Sequence, residues 1–205
     1  MPGQSLQTDG FVLLKRPPSD AFKGFTFFSA EQGVLLVMQR IAKKSAGASI
    51  SLDLFDEVSL LLESSNEGRT WFVKETRLLQ RAEGIGRSYE ALRHASALAS
   101  LVARNPVHEE GRAQVGALLR TAFAAFASAP RPDIVFLKSL YCFARDEGYP
   151  IKEQWFPTLP SADREAVAML LNRPLAEQTA SPESVLRLQR RLEDYLRGHT
   201  EVLLD

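Results

Sequence analysis

The apolar spacing of this chain changes once, near residue 84, and that change most limits what it can fold into. Upstream, apolar residues come in short runs parted by turn formers. Phe11-Val12-Leu13-Leu14 is stopped by Pro17-Pro18, and Phe25-Thr26-Phe27-Phe28 follows Gly24 and ends near Gly33. Val34-Leu35-Leu36-Val37-Met38 gives way to the polar stretch 42–51. Val58, Leu60 and Leu62 then alternate with Glu57, Ser59 and Glu63, as a half-buried strand does. Ser64-Ser65-Asn66-Glu67-Gly68 is a turn signal, and Trp71-Phe72-Val73 opens a fifth run.

Five short strands, with no helix pattern long enough for a crossover, predict a small antiparallel barrel over residues 1–80. An OB-fold is the leading five-strand architecture and an SH3-like barrel the alternative. After Gly84-Ile85-Gly86, which reads as a linker, the period becomes helical. Leu92, Ala95, Ala99 and Val102 recur between Ser88 as N-cap and Asn105-Pro106 as stop. Val115, Leu118, Ala122 and Phe126 follow, then Ile134, Leu137, Tyr141 and Ala144, then a shorter set of Ala166, Met169 and Leu170. Ser181-Pro182 caps a last stripe of Val185, Leu188, Leu192 and Leu196. The reading is an α+β, two-domain chain: an N-terminal five-stranded OB-fold barrel over 1–80, then an all-α helical domain over 81–205.

Composition narrows the class. With 45% hydrophobic and 24% charged residues the chain can bury a core. Its longest apolar runs fall far short of the roughly 18–20 residues a membrane span needs. Met1-Pro2-Gly3-Gln4-Ser5 has no basic start and no apolar core of a signal peptide, so a cytoplasmic protein without membrane contact is expected. The 25 basic and 25 acidic side chains cancel, so any attraction to a polyanion must be local. It is: residues 11–46 carry six basic groups and two acidic, 47–68 carry five acids and no base, and 69–131 carry ten basic and five acidic.

Catalytic chemistry finds no foothold. There is no Gly-x-Ser-x-Gly elbow and no phosphate-binding Walker loop, and Gly84-Ile85-Gly86 lacks the third glycine of a dinucleotide fingerprint. His94, His108 and His199 are dispersed, with His108 read as a surface-loop residue, and Asp146-Glu147 reads as a solvated pair ending a helix. Cys142, between Tyr141 and Phe143, reads as a small buried hydrophobe. No catalytic residue, cofactor or metal is expected, and the chain is not read as an enzyme.

A binding surface remains. OB-folds take ligands across strands 2 and 3, between the loop joining strands 1 and 2 and the loop joining strands 4 and 5. Here Lys15, Arg16 and Lys23 surround Pro17-Pro18, Phe22, Phe25, Phe27 and Phe28 crowd the second strand, and Arg40, Lys43 and Lys44 follow the third. Cations for phosphates beside rings for bases are what single-strand binding uses. Phe25 and Phe27 are expected to face the core. Lys15, Arg16, Lys23, Arg40, Lys43 and Lys44 are therefore the expected DNA-binding residues.

The order of these features resembles the RecO family of bacterial DNA repair and recombination mediators. Phe11-Val12-Leu13-Leu14-Lys15-Arg16 looks like that family's first strand with its trailing basics, and Ser19-Asp20-Ala21-Phe22 stands at its following turn. Phe28-Ser29-Ala30-Glu31-Gln32-Gly33 is similar to its turn into strand 3, and Met38 to Ser45 occupies the place of its basic segment. Tyr195-Leu196-Arg197-Gly198-His199 resembles its C-terminal helix. The resemblance covers about residues 10–204, without the four-cysteine zinc module that many members carry. It implies a protein that binds and anneals single- and double-stranded DNA and works with RecR to help RecA load onto strands coated by single-strand DNA-binding protein. It also implies a docking site in the helical half for that protein's acidic, apolar-ended C-terminal tail, with Arg93, Arg104, Arg112 and Arg120 as candidates. The alternative is a diverged protein-interaction module of the same architecture with weak or no DNA binding.

One cysteine and three dispersed histidines do not close a tetrahedral site in one chain. Elemental analysis of the purified protein is expected to show no stoichiometric zinc, and a chelator is expected to leave its thermal transition unmoved.

Overall fold

The structure, a computed structural model, describes residues 4–41, 50–64 and 66–204. Five strands form a closed barrel: β1 (Gln4–Lys15), β2 (Phe22–Ser29), β3 (Gly33–Arg40), β4 (Glu57–Ser64) and β5 (Trp71–Gln80), in the order β1-β2-β3-β5-β4. Helices follow: α1 (Tyr89–Arg104), α2 (Arg112–Ser128), α3 (Pro132–Asp146), the short α4 (Phe156–Thr158) after a π-helical turn at Ile151–Trp155, α5 (Ser161–Asn172) and α6 (Pro182–His199). The chain is of α+β class. It divides into two compact units, residues 1–82 with 102–120, and residues 83–101 with 121–205.

The barrel departs from the expected all-antiparallel pattern at one seam. β4 pairs with β1 and β5 rather than with β3, so β5 returns beside β3 in the same direction and meets it at Val37↔Trp71 and Met38↔Phe72. Closure depends on the length of β1. Its first half pairs with β4, from Gln4↔Ser64 to Phe11↔Glu57, and its second half with β2, from Gly10↔Ser29 to Lys15↔Phe25. The apolar run marks only the second half. In the first, the inward positions are Leu6, Thr8 and Gly10, two of them not apolar, so the strand was legible only from Phe11. Thr8 is satisfied inside by a 2.6 Å hydrogen bond with the Ser29 hydroxyl.

Gly10 sits where β1 passes from one partner to the other. A Cβ there would lie 2.0 Å from the Phe28 carbonyl oxygen, so only a bare backbone fits. A register shift follows between Val12 and Leu14. Val12 N–H donates to the Asp56 carbonyl at 3.0 Å, and Phe55 N–H donates to the Val12 carbonyl at 2.8 Å. Asp56 is itself buried, and its carboxylate accepts both arms of Arg81, Nε at 2.9 Å and Nη2 at 2.7 Å, plus Asp53 N–H at 2.9 Å. Residues 52–56, just before β4, are thereby fastened to the barrel, with Leu52 entering the core. That core comprises Val12, Phe25, Phe27, Val37, Leu52, Val58, Leu60, Leu62 and Trp71. Phe25 and Phe27 face inward as their alternation predicts.

Part of the outer surface is sealed too. The start of α2 lies on the β2–β3 turn: the Gly116 Cα is bare toward Ala30 Cβ and Phe28 Cε1, and Arg112 covers Gly33, whose φ is +73°. Arg120 forks onto Glu57, with Nε 3.0 Å from Oε1, and its guanidinium lies 5.7 Å from the centre of the Phe11 ring. This overturns the simple alternation expected of β4. Glu57, which Arg120 of α2 reaches, and Ser59 are buried alongside Val58 and Leu60 rather than turned to solvent.

In the other unit α3 packs on α6 and α5, around Ile134, Leu140, Phe143, Val185, Leu188, Leu192 and Leu196. Both predicted caps form: the Ser88 hydroxyl accepts Ala91 N–H at 3.3 Å and the Ser181 hydroxyl accepts Ser184 N–H at 3.3 Å. The stripes turn slightly from expectation. Leu92 and Met169 are exposed, and Ala91 and Leu98 take inward places on α1. Cys142 is only half-buried, and burial pushes its thiol upward. Asp146 and Glu147 are half-buried rather than solvated, with Asp146 accepting from Arg145 Nε at 2.7 Å, whereas His108 is exposed as expected.

Gly10→Ala is expected to destabilise the protein by about 3 kcal/mol, or to prevent folding, because the clash is with backbone. Gly86→Ala, with nothing within 4 Å of its built Cβ, is expected to stay within about 0.5 kcal/mol. Urea denaturation of the two variants checks the pair.

Candidate nucleic-acid interface

Strand parity decides where each expected cation points. Cross-strand partners share a face, and the β1 register runs Leu14↔Thr26 and Lys15↔Phe25 after its irregularity. Phe25 is in the core, so Lys15 emerges on the inner side at the barrel's end. There its ammonium pairs with Asp53. Lys23 has the same parity and stands opposite Gln39, whose amide is taken up by the Ile50 carbonyl and Leu52 N–H. Lys23 itself is exposed. Arg16 belongs to the other face. Its N–H donates to the Gly24 carbonyl at 2.8 Å, and a Cβ on Gly24 would sit 3.3 Å from Arg16 Cβ and 3.3 Å from Met38 Sδ. Arg40 is paired with Phe22 on that same outer face. The six expected residues thus separate: Arg16 and Arg40 lie on the outer face, Lys15 and Lys23 at the barrel's end, and Lys43 and Lys44 outside the described residues.

Between Arg16 and Arg40 lies an apolar surface. The Phe22 and Phe72 rings meet edge to face, centres 5.4 Å apart and planes at 68°, reaching toward each other across β3. Met38 is paired with Phe72 and leans over the bare Gly24. All three side chains are half-buried. Leu36 and the exposed Val34 extend the surface along β3. Phe22 is fixed by the turn before it: Ser19 N–H donates to the Phe22 carbonyl at 2.8 Å, and Phe22 N–H donates to the Ser19 hydroxyl at 3.1 Å.

The charges here are unequal in their commitments. Among the described residues the barrel's ion pairs involve Lys15, Lys74, Arg81 and Arg120. Arg16, Lys23 and Arg40 enter none of them. Asp53 is held below the usual carboxylate range: burial pushes it up, but hydrogen bonds from Lys15 and from Leu54 N–H, with the charges of Lys15 and Arg81, more than offset that. The acidic block 47–68 is largely absorbed in the same manner, Asp53 by Lys15, Asp56 by Arg81, Glu57 by Arg120 and Glu63 by Lys74.

Two residues of this surface, Met38 and Phe72, were missed as site candidates. The signal for Phe72 was present, since Trp71 and Val73 flank it and only one parity can enter the core. Nothing in the sequence tells that β5 lies against β3. The arginines suggested for peptide docking have different neighbours. Arg120 and Arg112 are engaged with the barrel, Arg112 through the Glu31 carbonyl at 3.2 Å, and Arg93 pairs with Glu90. Cavities do occur among the described residues of the helical unit. One, of about 270 Å³, is lined by Arg93, His94, Phe136 and Gln189 among others. Another, of about 500 Å³, is lined by Trp155, Tyr195, Arg191 and His199 among others.

No family model matches the chain, and no curated protein matches it either. Among the described residues no cluster of three or more His, Cys, Asp or Glu could hold a metal, and no helix is long and apolar enough to cross a membrane.

A carboxyl with a lowered native pKa stabilises the fold above its unfolded value, near 3.8 for Asp53, and that contribution disappears as pH falls through the native value. Lys15→Met is expected to raise the Asp53 pKa, because burial remains when the hydrogen bond and charge are gone. An NMR titration of the Asp53 carboxyl in both proteins measures this.

Proposed function

We propose that this protein is a DNA-binding recombination and repair mediator of the RecO type, built on an OB-fold. The strand order β1-β2-β3-β5-β4 with a parallel β3–β5 contact supports reading the barrel as an OB-fold followed by a helical domain. The observation that carries the functional reading is the open end of the β2–β3 face: two exposed arginines, without ion pairs among the described residues, border aromatic and thioether side chains. Arginine forks onto phosphate oxygens, and such contacts position a nucleic acid without reading its sequence. Lys23, beside this face, and Lys43 and Lys44, within five positions of Arg40, extend the proposed phosphate path.

In this reading the protein makes and breaks no bond. It binds single and double strands, brings complementary strands together, and acts with RecR to pass DNA coated by single-strand DNA-binding protein to RecA. The cavities of the helical unit are the proposed docking places for that protein's acidic tail, an apolar residue entering and a cation meeting the carboxylate. Zero net charge favours the second reading, an interaction module with little DNA affinity.

Anisotropy of a labelled oligonucleotide across a salt series separates them. The proposed function predicts an affinity that falls linearly in log–log form with salt. Arg16→Ala with Arg40→Ala is expected to shrink the single-strand slope by about 1.4, at about 0.7 per lost phosphate contact. Both residues are exposed, so stability is expected to stay within about 0.5 kcal/mol. Absence of binding at about 50 mM salt gives the case to the interaction module.

A further inference from the structure

One edge of β5 is used along the whole strand and the other only at its start. The first pairs with β4 from Glu57↔Gln80 to Glu63↔Phe72, whereas the second meets β3 at Trp71 and Phe72 alone. β3 ends at Arg40, soon after that pairing, and β5 runs on to Gln80. From Val73 to Gln80 the second edge meets no further strand among the described residues. An open edge carries unpaired N–H and C=O groups that another strand can take up, and charged side chains commonly guard it. Lys74, at a register irregularity, is committed to Glu63. Glu75 and Arg77 are exposed and enter no ion pair among the described residues. Between Glu75 and Leu78 the register with β4 is unbroken: Leu61↔Glu75, Leu60↔Thr76, Ser59↔Arg77 and Val58↔Leu78. Thr76 and Leu78 therefore share the side of the core residues Leu60 and Val58, and Glu75 and Arg77 stand together on the outer side.

We propose that two copies of this chain associate through the free edge of β5, antiparallel, with Thr76 on the two-fold axis. Charge selects that register. Directly opposite residues of an antiparallel pair share a face, so a two-fold axis relating two copies of one strand passes through a residue and not between residues. With the axis at Glu75 two carboxylates oppose each other, and with the axis at Arg77 two guanidinium groups do. Like charges directly opposite are destabilising. With the axis at Thr76, each Glu75 stands opposite the partner's Arg77, and two favourable pairs form at once. The β4–β5 sheet then continues into the second copy, with Thr76 and Leu78 remaining on the core side. A single strand edge is a small interface, so the association is weak and reversible. The inference goes beyond the nucleic-acid reading and does not depend on it, since Glu75, Thr76 and Arg77 are not among the residues proposed to meet DNA.

Sedimentation of the full chain over a concentration series is expected to show a monomer–dimer equilibrium that weakens as salt is raised, because the pairs beside the axis are exposed. Glu75→Arg makes both positions basic, and Arg77→Glu makes both acidic. Each variant alone is expected to dimerise at least about tenfold more weakly, two attractive pairs having become repulsive. An equimolar mixture of the two is expected to recover association as a heterodimer, the basic edge of one facing the acidic edge of the other. The double variant exchanges the charges, keeps the wild-type net charge, and is expected to dimerise as the wild type does. Only monomer up to about 1 mM wild-type protein overturns the inference. A dimer that both single variants retain unchanged also overturns it, because the contact then lies elsewhere, and so does a mixture that stays monomeric. Each of these outcomes leaves the nucleic-acid reading standing.

Discussion

One strand serving two neighbours is the constraint on which the barrel depends. β1 must leave β4 and join β2 within a few residues, and the chain can do so only where its backbone is bare and its register slips. Gly10 provides the bare backbone, against the Phe28 carbonyl. The slip between Val12 and Leu14 is held by hydrogen bonds to Phe55 and Asp56, and Asp56 is held in turn by Arg81 at the end of β5. A buried carboxylate costs several kcal/mol unless it is paired and hydrogen-bonded, and here it is both. The pair therefore links the first strand, the segment just before β4, and the residue that follows the last strand in one network.

The same slip sets the site. With unbroken alternation from Val12, Arg16 would point toward the interior and Lys15 outward. The extra residue reverses them: Lys15 turns to Asp53 and Arg16 emerges beside Met38 and Gly24. The local twist a bulge brings is a common way to aim a side chain. The start of α2 then decides how much of the outer face is left open. Arg112, Gly116 and Arg120 close the Phe11–Phe28 end, and the Phe22–Arg40 end keeps its cations exposed and its rings half-buried.

Sequence pattern made part of this legible. Short alternating runs identified the inner residues Phe25, Phe27, Val58, Leu60 and Leu62, and serine caps located the starts of α1 and α6, because these depend on neighbours within a few positions. What it could not reveal depends on partners far along the chain. Gln4 to Gly10 are strand because β4 lies beside them, Glu57 is buried because Arg120 reaches it, and Phe72 joins Phe22 because β5 closes on β3. The six expected cations were chosen by proximity in sequence. A parity reversal that leaves no compositional trace put Arg16 with Arg40 on the outer face and Lys15 with Lys23 at the barrel's end.

Nucleic acid is proposed to lie on the open half of the β2–β3 face. Backbone NMR of the full chain titrated with a short unstructured single-stranded oligonucleotide tests it most directly. Binding there is expected to concentrate shift changes at Arg16, Phe22, Met38, Arg40 and Phe72, with the amides around Phe11, Phe28 and Gly116 unmoved. Changes confined to the sealed end or to the helical unit, or none at saturating oligonucleotide, would contradict it.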